Sequence, residues 1–362
     1  MPDTQSPAPE TDAPIIPGVP GTGAGGVGGP LGASATERDL ASGIVEPGLR
    51  LEYQDEGAAV QHLSQMKLVW SRFRRHRLAL VGTVILSVIV FLAVFAPFLT
   101  HTAPDTAHLE WVDFQTGATG PTLANFPDRI MGVDTIGHSV WSGVIYGARV
   151  SLLIGVVASL LTVVIGTMLG AISGYFGGAV DLLLQRLTDM VLSIPFLPLM
   201  IALSAIVLHN PALHQNVGFI VTFVILAFTG LGWPGVTRIV RTYYLTLREQ
   251  QFVEAARALG TSDLHIIFRH ILPNALSPIM VLFTLYAASF MTLEATLDFL
   301  GLGIAFPPTP TWGNMLTNAQ DELLIGHWWW ATFPGLLLLL TVLAINWIGD
   351  GLRDALDVRD QG

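Results

Sequence analysis

Few residues in this 362-residue chain have the types and spacing that chemistry requires. Gly21, Gly23 and Gly26, in "GTGAGG", match the G-x-G-x-x-G spacing that cradles a dinucleotide pyrophosphate. That role needs a strand before the glycines and a helix after them, and the Pro-, Gly- and Ala-rich sequence around them provides neither. A nucleotide-phosphate loop needs G-x-x-x-x-G-K-[ST], and the only lysine, Lys67 in "SQMKLVW", has no glycine before it. There is no cysteine, which excludes disulfides, thiolate metal sites and cysteine nucleophiles. "GHSVW" lacks the closing glycine of a G-x-S-x-G elbow, and no H-E-x-x-H occurs. His101, His108, His138, His209, His214 and His327 are scattered rather than set at ligand spacing. The sequence therefore assigns no catalytic residue and no metal ligand, and expects no cofactor in this chain.

One polar stretch between two apolar runs is patterned: "EAARALGTSDLHIIFRHILPN", Glu254 to Asn274. Phe252, Ala255, Ala256 and Leu259 recur at i, i+3, i+4 and i+7, one face of a helix. Gly260 follows, where a helix end needs left-handed backbone. Thr261 or Ser262 can cap a second helix, in which Leu264, Ile267, Phe268 and Ile271 repeat the spacing until Pro273 stops it. The expected product is a rigid, bent pair of amphipathic helices, decorated by Glu254, Arg257, Asp263, His265 and Arg269. Periodicity leaves two readings open, a hairpin lying on a membrane surface or a docking element.

The surrounding elements are apolar. Hydrophobic residues make up 51% of the chain and charged residues 12%, about half the charge of a soluble domain. Runs long enough to cross a bilayer fall near 78–99, 150–173, 190–208, 217–236, 275–297 and 329–348, so an all-α membrane protein of about six spans is expected. The first run starts too late and is too long for a cleaved signal peptide and reads as an anchor. Residues 1–62 bury too little apolar surface to offset chain entropy and are expected to be disordered.

Orientation follows from basic residues. With the N-terminus inside, 15 of the 17 lysines and arginines lie inside. They include Arg72 to Arg77, Arg186, the loop's Arg238, Arg241, Arg248, Arg257 and Arg269, and Arg353 and Arg359; only Arg129 and Arg149 lie outside. Both ends and the patterned loop are then cytoplasmic. The outer segment 100–148 carries Asp105, Glu110, Asp113, Asp128 and Asp134, and "HWWW" (His327 to Trp330) reads as a headgroup-level anchor. Gly166, Gly170, Gly174 and Gly178 line one helix face at G-x-x-x-G spacing, either a packing seam within the chain or a subunit interface. An ion-coupled carrier would place ionisable groups at the midplane. Glu294 and Asp298 lie instead about 20 residues beyond Pro273, roughly 30 Å along a helix, and are expected near the outer mouth in a structural role.

Glu254-Ala255-Ala256, Gly260 and Leu272-Pro273 resemble the EAA loop of permease subunits of ABC importers. The form "RHILPN", with His270 where the family often has an apolar residue, resembles the dipeptide, oligopeptide and nickel branch. "FRRHRLALVGTVIL" (73–86), "MGVDTIGHSVWSGVIYGARVSLLIG" (131–155), "EATLDFLGLGIAFPPTPTWGNML" (294–316) and "GDGLRDALD" (349–357) are similar to that branch in chain order, over about 70–358. His138 and Ser139 replace a usual Arg-Asp, and Asp298 stands where Ser is more usual.

The resemblance implies a type I importer permease of the C type. Its parts are a cytoplasmic tail (1–62), a basic lead-in with the first span and outer loop (63–148), a five-helix core (149–350) with its EAA loop at 246–274, and a C-terminal tail (351–362). Glu254, Ala255, Ala256, Gly260, Leu272 and Pro273 are implied to couple to the ATPase, supported by Arg257, Thr261, Asp263, Phe268, Arg269 and His270. The implied partners are a B-type permease, two ABC ATPase subunits that bind ATP and Mg²⁺, an external solute-binding protein and membrane lipid, with no nucleic acid. The implied location is a bacterial cytoplasmic membrane. Peptides are the expected substrate, with nickel complexes or oligosaccharides as alternatives within the family.

Overall fold

Between Val150 and Phe176 there is neither a charge nor a proline to interrupt a helix. A computed structural model, describing residues 65–356 except 114, 116, 211, 212, 214, 215 and 306, shows that helix running well past both ends of the predicted span. It begins where the Ser139 hydroxyl accepts the N–H of Ser142 and ends at Gly177, whose φ of 66° a glycine reaches without steric cost. The tail to residue 62, the Gly21–Gly26 fingerprint, His214 and the chain beyond Leu356 lie outside the described residues.

The elements, in order, are α1 (Gln65–Phe73), α2 (Arg77–Val94), α3 (Ala96–Leu99), α4 (Val140–Phe176), α5 (Gly178–Leu192) and α6 (Phe196–Leu208). Then come α7 (Val217–Leu247), α8 (Gln251–Ala258), α9 (Asp263–Phe299), α10 (Trp312–Asn318), α11 (Gln320–Leu324) and α12 (Trp328–Leu356). Among the described residues five helices are long and apolar enough to cross a membrane: α2, α4, α7, α9 and α12.

The predicted span at 190–208 is corrected. α5 and α6 meet at a 70° bend, around Pro195, whose ring biases the residue before it away from helix. α6 has 13 residues, about 20 Å of helix, short of the roughly 30 Å hydrocarbon core. Only the bent pair taken together could count as a sixth span.

The glycine stripe is a seam inside the chain for three of its four members. A Cβ at Gly166 would meet the Val236 side chain at 2.5 Å, one at Gly170 the Thr237 carbonyl at 2.8 Å, and one at Gly174 the Arg241 carbonyl at 2.7 Å. Small residues thus let α4 and α7 approach backbone to backbone. Gly178 is not part of the seam: nothing lies within 4 Å of its Cβ position, and its φ is 55°.

The "HWWW" reading is also corrected. Trp328 is exposed, but Trp329 and Trp330 are buried with Val140, Val144 and Met315. The Trp329 indole covers Gly120 and Gly132 and donates to the Val133 carbonyl at 3.3 Å. The segment between α3 and α4 packs over these rings, so protein surrounds them.

Glu294 and Asp298 are both buried near the C-terminal end of α9. The Ser151 hydroxyl lies 3.2 Å from Glu294 Oε2. Asp298 accepts the Ile304 N–H at 2.8 Å and the Thr311 hydroxyl. These bonds link the turn after α9 and the start of α10 to α4.

Candidate functional site

The patterned loop rests on a platform built by the glycine seam. With α4 and α7 in close contact, Tyr175 and Tyr244 come together at one end of the bundle, in one buried cluster with Val236 and Val240. Val253 and Ala256 of α8 and Ile266, Ile267 and Ile271 of α9 belong to the same cluster. The Tyr244 hydroxyl donates to the Ile267 carbonyl at 3.3 Å. The loop is thus seated on the bundle, and burying its apolar underside stabilises it by about 0.8 kcal/mol per CH₂ removed from solvent.

Its turn is closed by backbone. α8 ends at Leu259, and Gly260 takes φ 76°. The Gly260 N–H donates to the Arg257 carbonyl at 3.0 Å and the Thr261 N–H to the Ala256 carbonyl at 3.1 Å, the two reverse bonds of a Schellman ending. Gly260 is therefore placed as the sequence required. Ser262 occupies the capping position of α9, but its side chain makes no capping bond.

Two local expectations are corrected. Pro273 does not stop the second helix, which continues as α9 to Phe299. Before the proline the helix widens: the Leu272 N–H reaches back five residues to the Ile267 carbonyl. A π-type turn of this kind makes room for a ring that would clash in a regular α-turn. Of the predicted apolar stripe, only Ala256, Ile267 and Ile271 are buried. The buried residues are Val253, Ala256, Ile266, Ile267 and Ile271, and the widened turn puts Ile266 and Ile267 beside Ile271. Of the predicted stripe, Leu259 is 86% exposed, Leu264 65% and Phe268 50%, with Phe252 and Ala255 also exposed. The loop therefore has two apolar faces, one seated and one bare.

A polar cluster holds the side of the loop. The Tyr175 hydroxyl donates to Asp263 Oδ1 at 2.6 Å. The Arg257 guanidinium lies 5.8 Å from the centre of the Tyr175 ring, within cation–π range. Arg248 Nη1 donates to the carbonyls of Gly174 at 3.0 Å and Tyr175 at 3.3 Å, satisfying acceptors left over at the end of α4. Tyr175, Arg248, Glu249, Glu254 and Arg257 line a pocket of about 280 Å³. Two ion pairs tie α5 to α7, Arg241 Nη2 to Asp181 at 2.6 Å and Arg238 to Asp189.

The structure thus brings Glu254, Arg257 and Asp263 together beside Tyr175. Ala256 is buried beneath them, and Gly260 and Thr261 form the turn. Ala255, Phe268 and Arg269 are exposed. His270, Leu272 and Pro273 lie outside the polar cluster; the His270 carbonyl accepts the Asn274 amide at 2.7 Å, and its ring lies 5.7 Å from that of His265. Sequence reasoning missed Tyr175 and Arg248. The available signal was position: each stands at the end of a long helix, next to a turn. Among the described residues, no three His, Cys, Asp or Glu side chains gather as metal ligands.

Comparison with known proteins adds a family to this geometry. The profile of the binding-protein-dependent transport system inner membrane component matches residues 166–359. That of the N-terminal TM domain of oligopeptide transport permease C matches 64–116. A putative peptide transport system permease protein of Brucella abortus is 38% identical over 296 residues, 82% of this chain and 93% of its own length. The glutathione transport system permease protein GsiD of Shigella flexneri is 40% identical over 293 residues, 81% of this chain and 90% of its own. A chain of the MetNI methionine ABC transporter, in an inward-facing form, aligns at 18% identity and a TM-score of 0.47, covering 59% of this chain and 96% of its own.

Proposed function

The chain belongs to the family of binding-protein-dependent transport system inner membrane components, and from that premise we propose that it is a permease subunit of a peptide importer, driven by ATPases on separate chains. The peptide and glutathione permeases it resembles support a peptide substrate.

The observation that carries the coupling role is the bare tip of the α8–α9 loop. Leu259, Leu264 and Phe268 project from a hairpin whose other face is buried against Tyr175 and Tyr244. An exposed apolar patch on a rigid base is what a docking partner covers. The partner is an ATPase subunit carrying ATP and Mg²⁺. Its movement is transmitted through Gly260 into α9, which runs from the turn to Phe299 without a break and rocks as a rigid lever. A B-type permease forms the other half of the pathway, and an external solute-binding protein delivers substrate. Glu254, Ala255, Ala256, Gly260, Leu272 and Pro273 form the coupling element, with Arg257, Thr261, Asp263, Phe268, Arg269 and His270 in support. The bias of basic residues supports cytoplasmic termini.

The test is a mild-detergent pull-down of the tagged chain from its native membranes. Recovery of a second permease and one or two P-loop ATPases is the expected result. Recovery of the chain alone, or only with itself, would overturn the reading.

A further inference from the structure

A groove of about 560 Å³ runs between α2, α4, α9 and α12. Its walls are almost entirely apolar and include Leu86, Val94, Val156 and Ile348, and one charged residue, Arg149, stands on its rim. Contacts between the end of the first span and the start of α4, Trp141 to the Leu99 carbonyl and Ser142 to the Thr102 carbonyl, make α2 and α4 antiparallel. Val94 and Arg149 therefore lie at one end of the groove, with Leu86 and Val156 toward the other. The eight-residue step from Leu86 to Val94 gives it a length of about 12 Å.

Arg149 is exposed, and no carboxylate pairs with it among the described residues. Its guanidinium carbon lies 5.8 Å from the centre of the Tyr146 ring. From Val150 the helix carries no charge for 27 residues. Arg149 is the single charged residue of α4, and the groove runs from it along the uncharged part of the helix. A lone cation in such a place requires an anion or water, and an apolar slot requires a chain.

We propose that this groove binds an anionic phospholipid, with its phosphate on Arg149 and an acyl chain along the slot. Charge complementarity with the Arg149 guanidinium selects an anionic over a zwitterionic headgroup. The inference is independent of the coupling role assigned to the α8–α9 loop.

The test uses the full chain, with whatever subunits accompany it, in phosphatidylcholine vesicles containing spin-labelled phosphatidylglycerol or spin-labelled phosphatidylcholine. The readout is the motionally restricted fraction of each label. Phosphatidylglycerol is expected to be favoured about five-fold, the factor corresponding to about 1 kcal/mol per basic residue near an anionic surface. Arg149→Gln should bring the two lipids to parity, and Val90→Trp, which fills the slot, should lower both. An undiminished preference in Arg149→Gln would overturn the proposal. So would equal retention of both lipids by the unaltered chain. Efficient disulfide cross-linking of Val90→Cys to a span of a companion subunit would show the groove covered by protein and would also overturn it. Impaired peptide uptake in Arg149→Gln with the lipid preference intact would assign the cation to the passing solute instead.

Discussion

The hydroxyl of Tyr175, in the last turn of α4, donates a 2.6 Å hydrogen bond to the carboxylate of Asp263, the first residue of α9. This bond ties the start of the lever helix to the end of α4. Arg248 donates to the carbonyls of Gly174 and Tyr175 on the α4 side of this bond. Tyr175→Phe removes the donor and leaves the ring on which Arg257 rests. The loss is about 1 kcal/mol, enough to raise loop opening several-fold. Amide hydrogen exchange over 251–265 should accelerate and peptide uptake should fall, with the amount of protein in the membrane unchanged. Wild-type exchange and uptake together would sink this role.

Gly260 has open space at its Cβ position, so a side chain there meets no internal clash. Its φ of 76° is what resists substitution, at roughly 1–2 kcal/mol for a residue with a Cβ. Gly260→Asp adds a charge to the bare apolar tip as well. The variant is expected to insert normally and to lose uptake and substrate-stimulated ATP hydrolysis. Normal uptake would refute it.

If an ATPase covers the tip, charges placed there should act on docking rather than on folding. Leu259→Asp and Phe268→Asp should each reduce ATPase recovery in pull-downs by ten-fold or more while the second permease still co-purifies. Glu254→Gln, in the polar pocket beside the tip, should weaken stimulation of hydrolysis more than assembly. Equal loss of both partners in the Leu259 variant would point to general misfolding instead.

The glycine seam makes an independent prediction. At Gly174 a Cβ would stand 2.6 Å from the Tyr244 Cβ and 2.7 Å from the Arg241 carbonyl, so Gly174→Val must part α4 from α7. Overpacking of this kind costs about 1–3 kcal/mol, and here it also displaces the platform under the loop. A lower thermal midpoint is expected, with faster exchange at Val253 and Ile267. Gly230→Ala, on α7 but outside the seam and with open space at its Cβ position, should not lower the midpoint. Equal effects at the two positions would argue against the seam.

Outside the spans, His138 is buried, and its Nδ1 lies 2.7 Å from Asp134 Oδ2. The Asp134 hydrogen bond, with help from Asp105, raises the His138 pKa above its ordinary 6.5. A proton held more tightly in the folded state stabilises the fold below the unfolded pKa, and that contribution is lost as pH rises through the folded value. The segment between α3 and α4 should therefore lose stability as pH climbs above about 6.5. Limited proteolysis of 100–139 at a series of pH values should show cleavage increasing with pH in the parent chain and a flatter profile in His138→Asn. A profile that rises equally in both would remove His138 from the account.

Much of this was legible from residue type and spacing, because those features act locally. Apolar runs without charge located five helices. Gly260 announced its turn because only glycine reaches left-handed backbone cheaply. The Glu254-Ala255-Ala256 stretch and its companions pointed to the family before any coordinates. What stayed hidden depended on what each side chain meets. The i, i+3, i+4 pattern identified an apolar stripe of Phe252, Ala255, Ala256, Leu259, Leu264, Ile267, Phe268 and Ile271, but a hairpin with two apolar faces buries only part of it. The tertiary structure chose Val253, Ala256, Ile266, Ile267 and Ile271, because Tyr175 and Tyr244 were already together across the glycine seam. The continuation of α9 through Pro273 was equally hidden, since a widened turn depends on backbone bonds that residue spacing does not encode. Local sequence determined which segments are helical and where they turn; contact between distant segments decided which face each presents and which is left for a partner.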